Sequence, residues 1–155
     1  MGVAGCGKST IGAMLAHELG WDFYDADDFH SESNRIKMAQ NIPLTDEDRA
    51  DWLDSLRSLI GQNIQNERSI VLACSALKKS YRDTLMINDQ EEFIYLRGTY
   101  EQIEARLLQR SGHFMSAKML ASQFDILEEP QDAVTIDITH TPQEIISVIR
   151  KGLAL

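Results

Sequence analysis

Eight consecutive residues near the start of the chain, Gly2-Val3-Ala4-Gly5-Cys6-Gly7-Lys8-Ser9, fit the pattern G-x-x-x-x-G-K-[ST] at every required position. Each residue type has a task in that pattern. Glycines let successive backbone N–H groups curl around phosphate oxygens in conformations that other residues resist. The helix expected from Thr10 points its positive end at the same anion. The Lys8 ammonium reaches the outer phosphates, and the Ser9 hydroxyl is placed to ligate Mg²⁺. A chance match in a chain of average composition is on the order of one in a few hundred. The competing reading, a glycine-rich turn with a surface lysine, leaves the helix behind it unexplained. The nucleotide-contacting set is therefore Gly2, Val3, Ala4, Gly5, Cys6, Gly7, Lys8, Ser9 and Thr10, with ATP and Mg²⁺ as the implied ligands. Cys6 fills a variable position; a second reading is that its oxidation blocks nucleotide binding.

A second group of chemical residues follows at Asp25-Ala26-Asp27-Asp28. In an open α/β sheet, ligands collect at the carboxyl ends of strands. Carboxylates at the end of a strand over residues 21–25 would face the phosphate loop. Asp25 suits the metal side, because Mg²⁺ takes a few carboxylates and keeps its water. Asp27 suits the acceptor hydroxyl, whose proton it can take. Asp28 is expected to face solvent. The bland alternative is a solvated acidic turn. His30, in the company of Asn34, Arg35 and Lys37, reads either as part of a pocket for a hydroxylated anion or as a structural histidine. Two basic stretches run against the acidic background: Lys78, Lys79 and Arg82, then Arg106, Arg110, His113 and Lys118. They suit a small anion, carboxylate or phosphate alike. Arg106 and Arg110, four apart, also fit an ordinary charged helix face.

The elements that must carry these residues alternate. Residues 10–19 read as a helix with Ile11, Met14, Leu15 and Leu19 on one face. Residues 21–25 form a short strand and residues 31–40 a polar helix. Thr45, followed by Asp46, Glu47 and Asp48, caps a helix running to about Gln65, with Trp52, Leu53, Leu56, Leu59 and Ile60 buried. Residues 69–74 (SIVLAC) are a continuous apolar run, typical of a parallel strand buried on both faces. Helices over 79–87, 100–110 and 116–127 alternate with strands over 93–97 and 133–138. Thr141-Pro142 opens a last helix. Such alternation predicts an α/β fold: a parallel sheet flanked by helices, in one domain spanning 1–155. A phosphate loop normally follows a buried strand, and Met1-Gly2 offers none. The expectation is that a first strand lies upstream and is absent from this chain.

Composition sets the outer bounds. The chain has 155 residues and a formal net charge of −9, with 43% hydrophobic and 25% charged residues. A chain of this length buries roughly 70% of its unfolded surface, enough for a core without staples. Residues 18–54 hold eleven acids and three bases; the remaining thirteen acids and twelve bases nearly cancel. This balance argues against broad nucleic-acid binding and against anionic membrane surfaces. No apolar run approaches the ~20 residues of a membrane span. Two distant cysteines, Cys6 and Cys74, suggest reduced thiols and a cytoplasmic setting rather than a disulfide framework.

Several segments together resemble the gluconokinase family. They are G-V-A-G-C-G-K-S, Y-D-A-D-D-F-H, N-R-I-K-M-A-Q-N-I-P-L-T-D-E-D-R-A-D-W-L, C-S-A-L-K-K-S-Y-R-D, F-I-Y-L-R-G, R-L-L-Q-R-S-G-H-F-M and Q-F-D-I-L-E-E-P, in that order from Gly2 to about Pro130. The family transfers the γ-phosphoryl of ATP to the 6-hydroxyl of D-gluconate. It belongs to the nucleoside-monophosphate-kinase-like P-loop kinases, alongside shikimate kinase. The resemblance implies a three-layer fold with an acceptor-binding helical part at about 29–66 and a mobile lid at about 106–118. It implies that Ser75, Lys78 and Arg82 contact gluconate, with Asp27, His30 and Arg49 also on the acceptor side. It implies that Arg110 neutralises charge on the transferring phosphoryl and that Arg106 contacts the nucleotide. It also implies a homodimer. Asp28 departs from the pattern, which has an apolar residue there. Two rival functions stay open on the residues alone: a kinase for another small acceptor, such as shikimate or a nucleoside monophosphate, and a nucleotide-dependent switch.

Overall fold

The computed structural model describes residues 1–109 and 117–155. In chain order it runs α1 (Lys8–Leu19), β1 (Asp22–Asp25), a 3-10 turn (Ala26–Phe29), α2 (Glu32–Ala39), α3 (Asp46–Gln65), β2 (Ile70–Ala73), α4 (Lys79–Leu85), β3 (Ile94–Arg97), α5 (Tyr100–Gln109), α6 (Ala117–Ile126), β4 (Val134–Asp137) and α7 (Pro142–Gly152). The alternation read from the sequence is present throughout.

Local chemistry sets the element boundaries. Thr45 and Asp48 form a reciprocal capping box at the start of α3, and three acids occupy its first turn. Thr141 and Glu144 do the same for α7, with Pro142 in its first turn. Gly7, at φ 105°, caps α1 in a left-handed conformation that a side chain would strain. Buried Ile11 and Leu15 anchor α1, with Met14 and Leu19 packed alongside. In α3, Trp52, Leu53 and Leu56 are buried, while Leu59 and Ile60 are half-buried. No described helix is long and apolar enough to cross a membrane.

Strand pairing is parallel: β1 with β2 and β3 with β4. Among the described residues these are two separate pairs rather than one continuous sheet. Met1 and Gly2 are pinned between them. The Met1 amino group donates to the Ile94 carbonyl. The Leu96 N–H donates to the Met1 carbonyl at 3.0 Å, and the Gly2 N–H donates to the Ser75 carbonyl at 3.1 Å. Behind this single bridge lies a cavity of about 630 Å³, walled by β2 residues Val71, Leu72 and Ala73 and by Phe93, Ile94 and Leu96. The run 69–74, expected to be buried on both faces, is half-buried at Ile70, Val71 and Leu72. The reason is that Ile70, Val71 and Leu72 line this cavity.

Two apolar clusters form the core. One joins Val3 and Cys6 of the phosphate loop to α1, β3, β4, α5, α6 and α7. The other joins Ala26 of the acidic turn to α3, α4 and the loop after β2. Phosphate-side and acceptor-side residues therefore rest on different clusters, and the site lies where they meet.

Candidate active site

The phosphate loop has the curled backbone its sequence requires. Gly2 (φ 139°), Gly5 (φ 85°) and Gly7 (φ 105°) all take positive φ. At Gly2 there is also no room for a side chain: a Cβ would lie 2.8 Å from the Leu96 carbonyl oxygen. Cys6 is 1% exposed and packs into the phosphate-side cluster, so its thiol faces the core. Lys8 Nζ donates to the Val3 carbonyl at 3.0 Å, folded back over its own loop. The Ala4 N–H donates to Gln123 Oε1 of α6 at 2.7 Å. An amide oxygen thus occupies a loop donor of the kind that receives phosphate oxygens.

The acidic turn meets the loop through its first residue. Ser9 Oγ donates to Asp25 Oδ2 at 2.5 Å. Asp25 Oδ1 accepts from the Asp27 N–H at 3.1 Å, capping the 3-10 turn. Two hard oxygen donors, a hydroxyl and a carboxylate, are thereby gathered beside the loop. That donor chemistry fits Mg²⁺, which takes few protein ligands and completes its shell with water and phosphate oxygens.

Asp27 has an environment that lifts its carboxyl above the usual aspartate range. Loss of water around the group is the larger cause, and the Asp25 charge adds to it; Lys8 and His30 oppose. Water still reaches this side chain, which is 81% exposed, and screens part of the effect. His30 Nε2 lies 4.0 Å from Asp27 Oδ1. The imidazole is buried, and burial holds its pKa below the ordinary value; Arg49 and Arg35 push the same way and Asp27 opposes. Asp28 is exposed, as expected.

Lys78, Arg49 and Arg82 arrive already engaged. Lys78 Nζ donates to both carboxylate oxygens of Asp46, at 2.8 and 2.7 Å. The Tyr81 hydroxyl donates to the same carboxylate. These bonds hold the Asp46 carboxyl below its usual range, Lys78 first and Tyr81 second. Arg49 donates to the Leu44 carbonyl, to the Thr45 carbonyl at 3.3 Å and to the Tyr81 hydroxyl at 3.5 Å. Arg82 is buried and donates to the carbonyls of Ala76 (3.0 Å) and Leu77 (3.1 Å). Ala76 carries a positive φ of 45°, a strained value for a residue with a Cβ, so Arg82 braces a strained loop next to Ser75. Arg106 of α5 donates to the Ile138 carbonyl, just past β4. Arg110 and His113, in the expected lid, lie outside the described residues.

Sequence reasoning did not assign Trp52, Asp46, Tyr81 or Gln123 to the site. Trp52 stood out only as a residue on the apolar face of α3, and Asp46 only as an acid in a helix's first turn. Tyr81 and Gln123 gave no separate signal.

Residues 4–151 match the shikimate kinase family. The chain is 43% identical to a probable gluconokinase from Mus musculus over 174 aligned positions, covering 99% of this chain and 95% of the relative. The chain belongs to the gluconokinase family. Solved structures agree with that membership. A gluconokinase from Sinorhizobium meliloti superposes with a TM-score of 0.88 at 37% identity, covering 99% of this chain and 89% of that one. A sugar kinase from Janibacter sp. HTCC2649, solved without ligand, gives 0.92 at 40% identity, covering 99% and 91%. Membership in this kinase family makes ATP the phosphoryl donor.

Proposed function

We propose that this protein transfers the γ-phosphoryl group of ATP to the 6-hydroxyl of D-gluconate, with Mg²⁺ bound beside Ser9 and Asp25. The observation that carries the reading is the meeting of the phosphate loop and the acidic turn at Ser9 and Asp25, with Asp27 and His30 two and five residues further on. The gluconokinase relatives at about 40% identity supply the acceptor. Bound Mg²⁺ supplies charge neutralisation at the phosphate oxygens.

The protein's own residues do the rest by placement. Lys8 leaves the Val3 carbonyl and sets its ammonium against the outer phosphates. Asp27 accepts the hydroxyl proton as the acceptor oxygen bonds to phosphorus and the bond from phosphorus to the ADP oxygen breaks. His30 contacts a neighbouring hydroxyl. Arg49, Ser75, Lys78 and Arg82 line the region for the acceptor carboxylate, with Lys78 exchanging Asp46 for it. The segment from about 29 to 66 forms the acceptor-binding part, and Arg106 and Arg110 serve the nucleotide and the transferring phosphoryl from about 106–118.

The test is ADP release with Mg·ATP against gluconate, shikimate, AMP and no acceptor. Stimulation by gluconate alone supports the reading. Stimulation by shikimate or AMP alone moves the activity to another acceptor, and no stimulation at all overturns the kinase reading.

A further inference from the structure

Trp52 of α3 is 3% exposed, and two separate contacts run from it into the acidic turn. Its indole stacks on the His30 imidazole, with ring centroids 4.6 Å apart and planes 11° from parallel. Its Nε1–H donates to the Ala26 carbonyl at 2.7 Å, in a fully buried bond. Ala26 separates Asp25 from Asp27, and His30 follows three residues after Asp27. One side chain therefore grips both ends of the segment on which the acceptor-side groups are mounted.

A core residue on a helix face needs neither contact. Burial alone asks only for an apolar side chain there. The state of His30 makes the stack informative. A working histidine is ordinarily oriented by a hydrogen bond from its second ring nitrogen. Here the buried Nδ1 has no hydrogen-bond partner among the described residues. Nε2 faces Asp27 Oδ1 across 4.0 Å, too long for a direct hydrogen bond. A hydroxyl oxygen seated between them can give its proton toward Asp27 and accept from Nε2–H. That geometry requires a fixed ring, and the indole is the element that fixes it.

We infer that Trp52 is a positioning residue for the acceptor, holding the His30 ring by stacking and the Asp27 peptide through the Ala26 carbonyl. This rests on Asp27 and His30 being acceptor-side groups. Trp52 touches no substrate and acts through those two.

Two variants separate its contacts. Trp52→Phe keeps an aromatic face for His30 and loses the bond to Ala26; Trp52→Leu loses both. In Trp52→Phe, kcat is expected to fall about tenfold with the gluconate KM near wild type, because the Asp27 peptide loosens. In Trp52→Leu, kcat is expected to fall further and the gluconate KM to rise about tenfold. The KM for ATP should stay within about twofold in both, since the phosphate loop rests on the other apolar cluster. An independent readout is the ring-current shift of the His30 imidazole proton resonances, assigned by their loss in His30→Asn. The shift should persist in Trp52→Phe and vanish in Trp52→Leu. Wild-type gluconate kinetics in both variants, equal movement of ATP and gluconate KM, or His30 resonances unchanged by Trp52→Leu would each overturn the inference. If Trp52→Leu does not fold, Trp52→Phe decides through its kcat and its unchanged ATP KM. Wild-type protein that ignores gluconate while binding ATP is a different failure, that of the acceptor reading itself.

Discussion

Ser9 Oγ and Asp25 Oδ2 meet at 2.5 Å across sixteen residues of sequence, joining the first turn of α1 to the last residue of β1. The bond places a hydroxyl and a carboxylate where a phosphate-bound Mg²⁺ needs oxygen ligands. Replacing Asp25 by Asn keeps the shape and removes the charge. The Mg²⁺ concentration for half-maximal turnover is expected to rise about tenfold to a hundredfold. Titration of activity with Mg²⁺ at fixed ATP checks this; an unchanged requirement would remove Asp25 from the metal side.

Lys8 rests on the Val3 carbonyl at 3.0 Å, a neutral partner it can leave without breaking an ion pair. Its charge is free for the outer phosphates. Lys8→Ala should therefore lower turnover by about a hundredfold to a thousandfold, the usual cost of removing one charge-stabilising group. Thermal stability should be little changed, because only one part-buried hydrogen bond to a neutral carbonyl is lost. A large drop in Tm together with lost activity would make Lys8 structural.

Asp27 combines function with electrostatic strain. Thinned water and the neighbouring Asp25 charge raise its pKa, so ionising it costs more in the folded protein than in the unfolded chain. The folded state then holds a proton that the unfolded state has released, and stability falls as pH rises through that window. Asp27→Asn is expected to match or exceed wild-type Tm at pH 7 while turnover falls far more than ATP affinity. The acid limb of the wild-type kcat profile should lie above the ordinary aspartate range and disappear in Asp27→Asn. Full turnover in Asp27→Asn would end its assignment as proton acceptor.

How much of this was legible in the sequence depends on the range of the contact. The phosphate loop was, because its chemistry is contained in eight neighbouring residues. The caps at Thr45 and Thr141 were, because a capping box is contained in four consecutive residues. Asp25 and Asp27 were, because the end of a strand is a place where the fold gathers ligands. The grip of Trp52 on His30 was not: apolar periodicity marks which helix face is buried and says nothing of which ring it meets. Nor was the capture of Lys78 by Asp46, 32 residues away, or the bond from Ala4 to Gln123 across 119 residues. Those pairings depend on how α3 and α6 are set against the loops, which local spacing does not encode.

His30 gives a pH signature of the opposite sign to Asp27. Burial lowers its pKa, and Arg49 and Arg35 add to the effect against Asp27. Between the lowered value and the ordinary one near ~6.5, the unfolded chain binds a proton that the folded chain does not. Stability is therefore complete above the ordinary value and is lost as pH falls below it. His30→Phe, which keeps a ring against Trp52, should show a shallower loss of Tm from pH 7 to pH 5 than wild type. Parallel curves would mean that His30 takes up its proton in place, without cost.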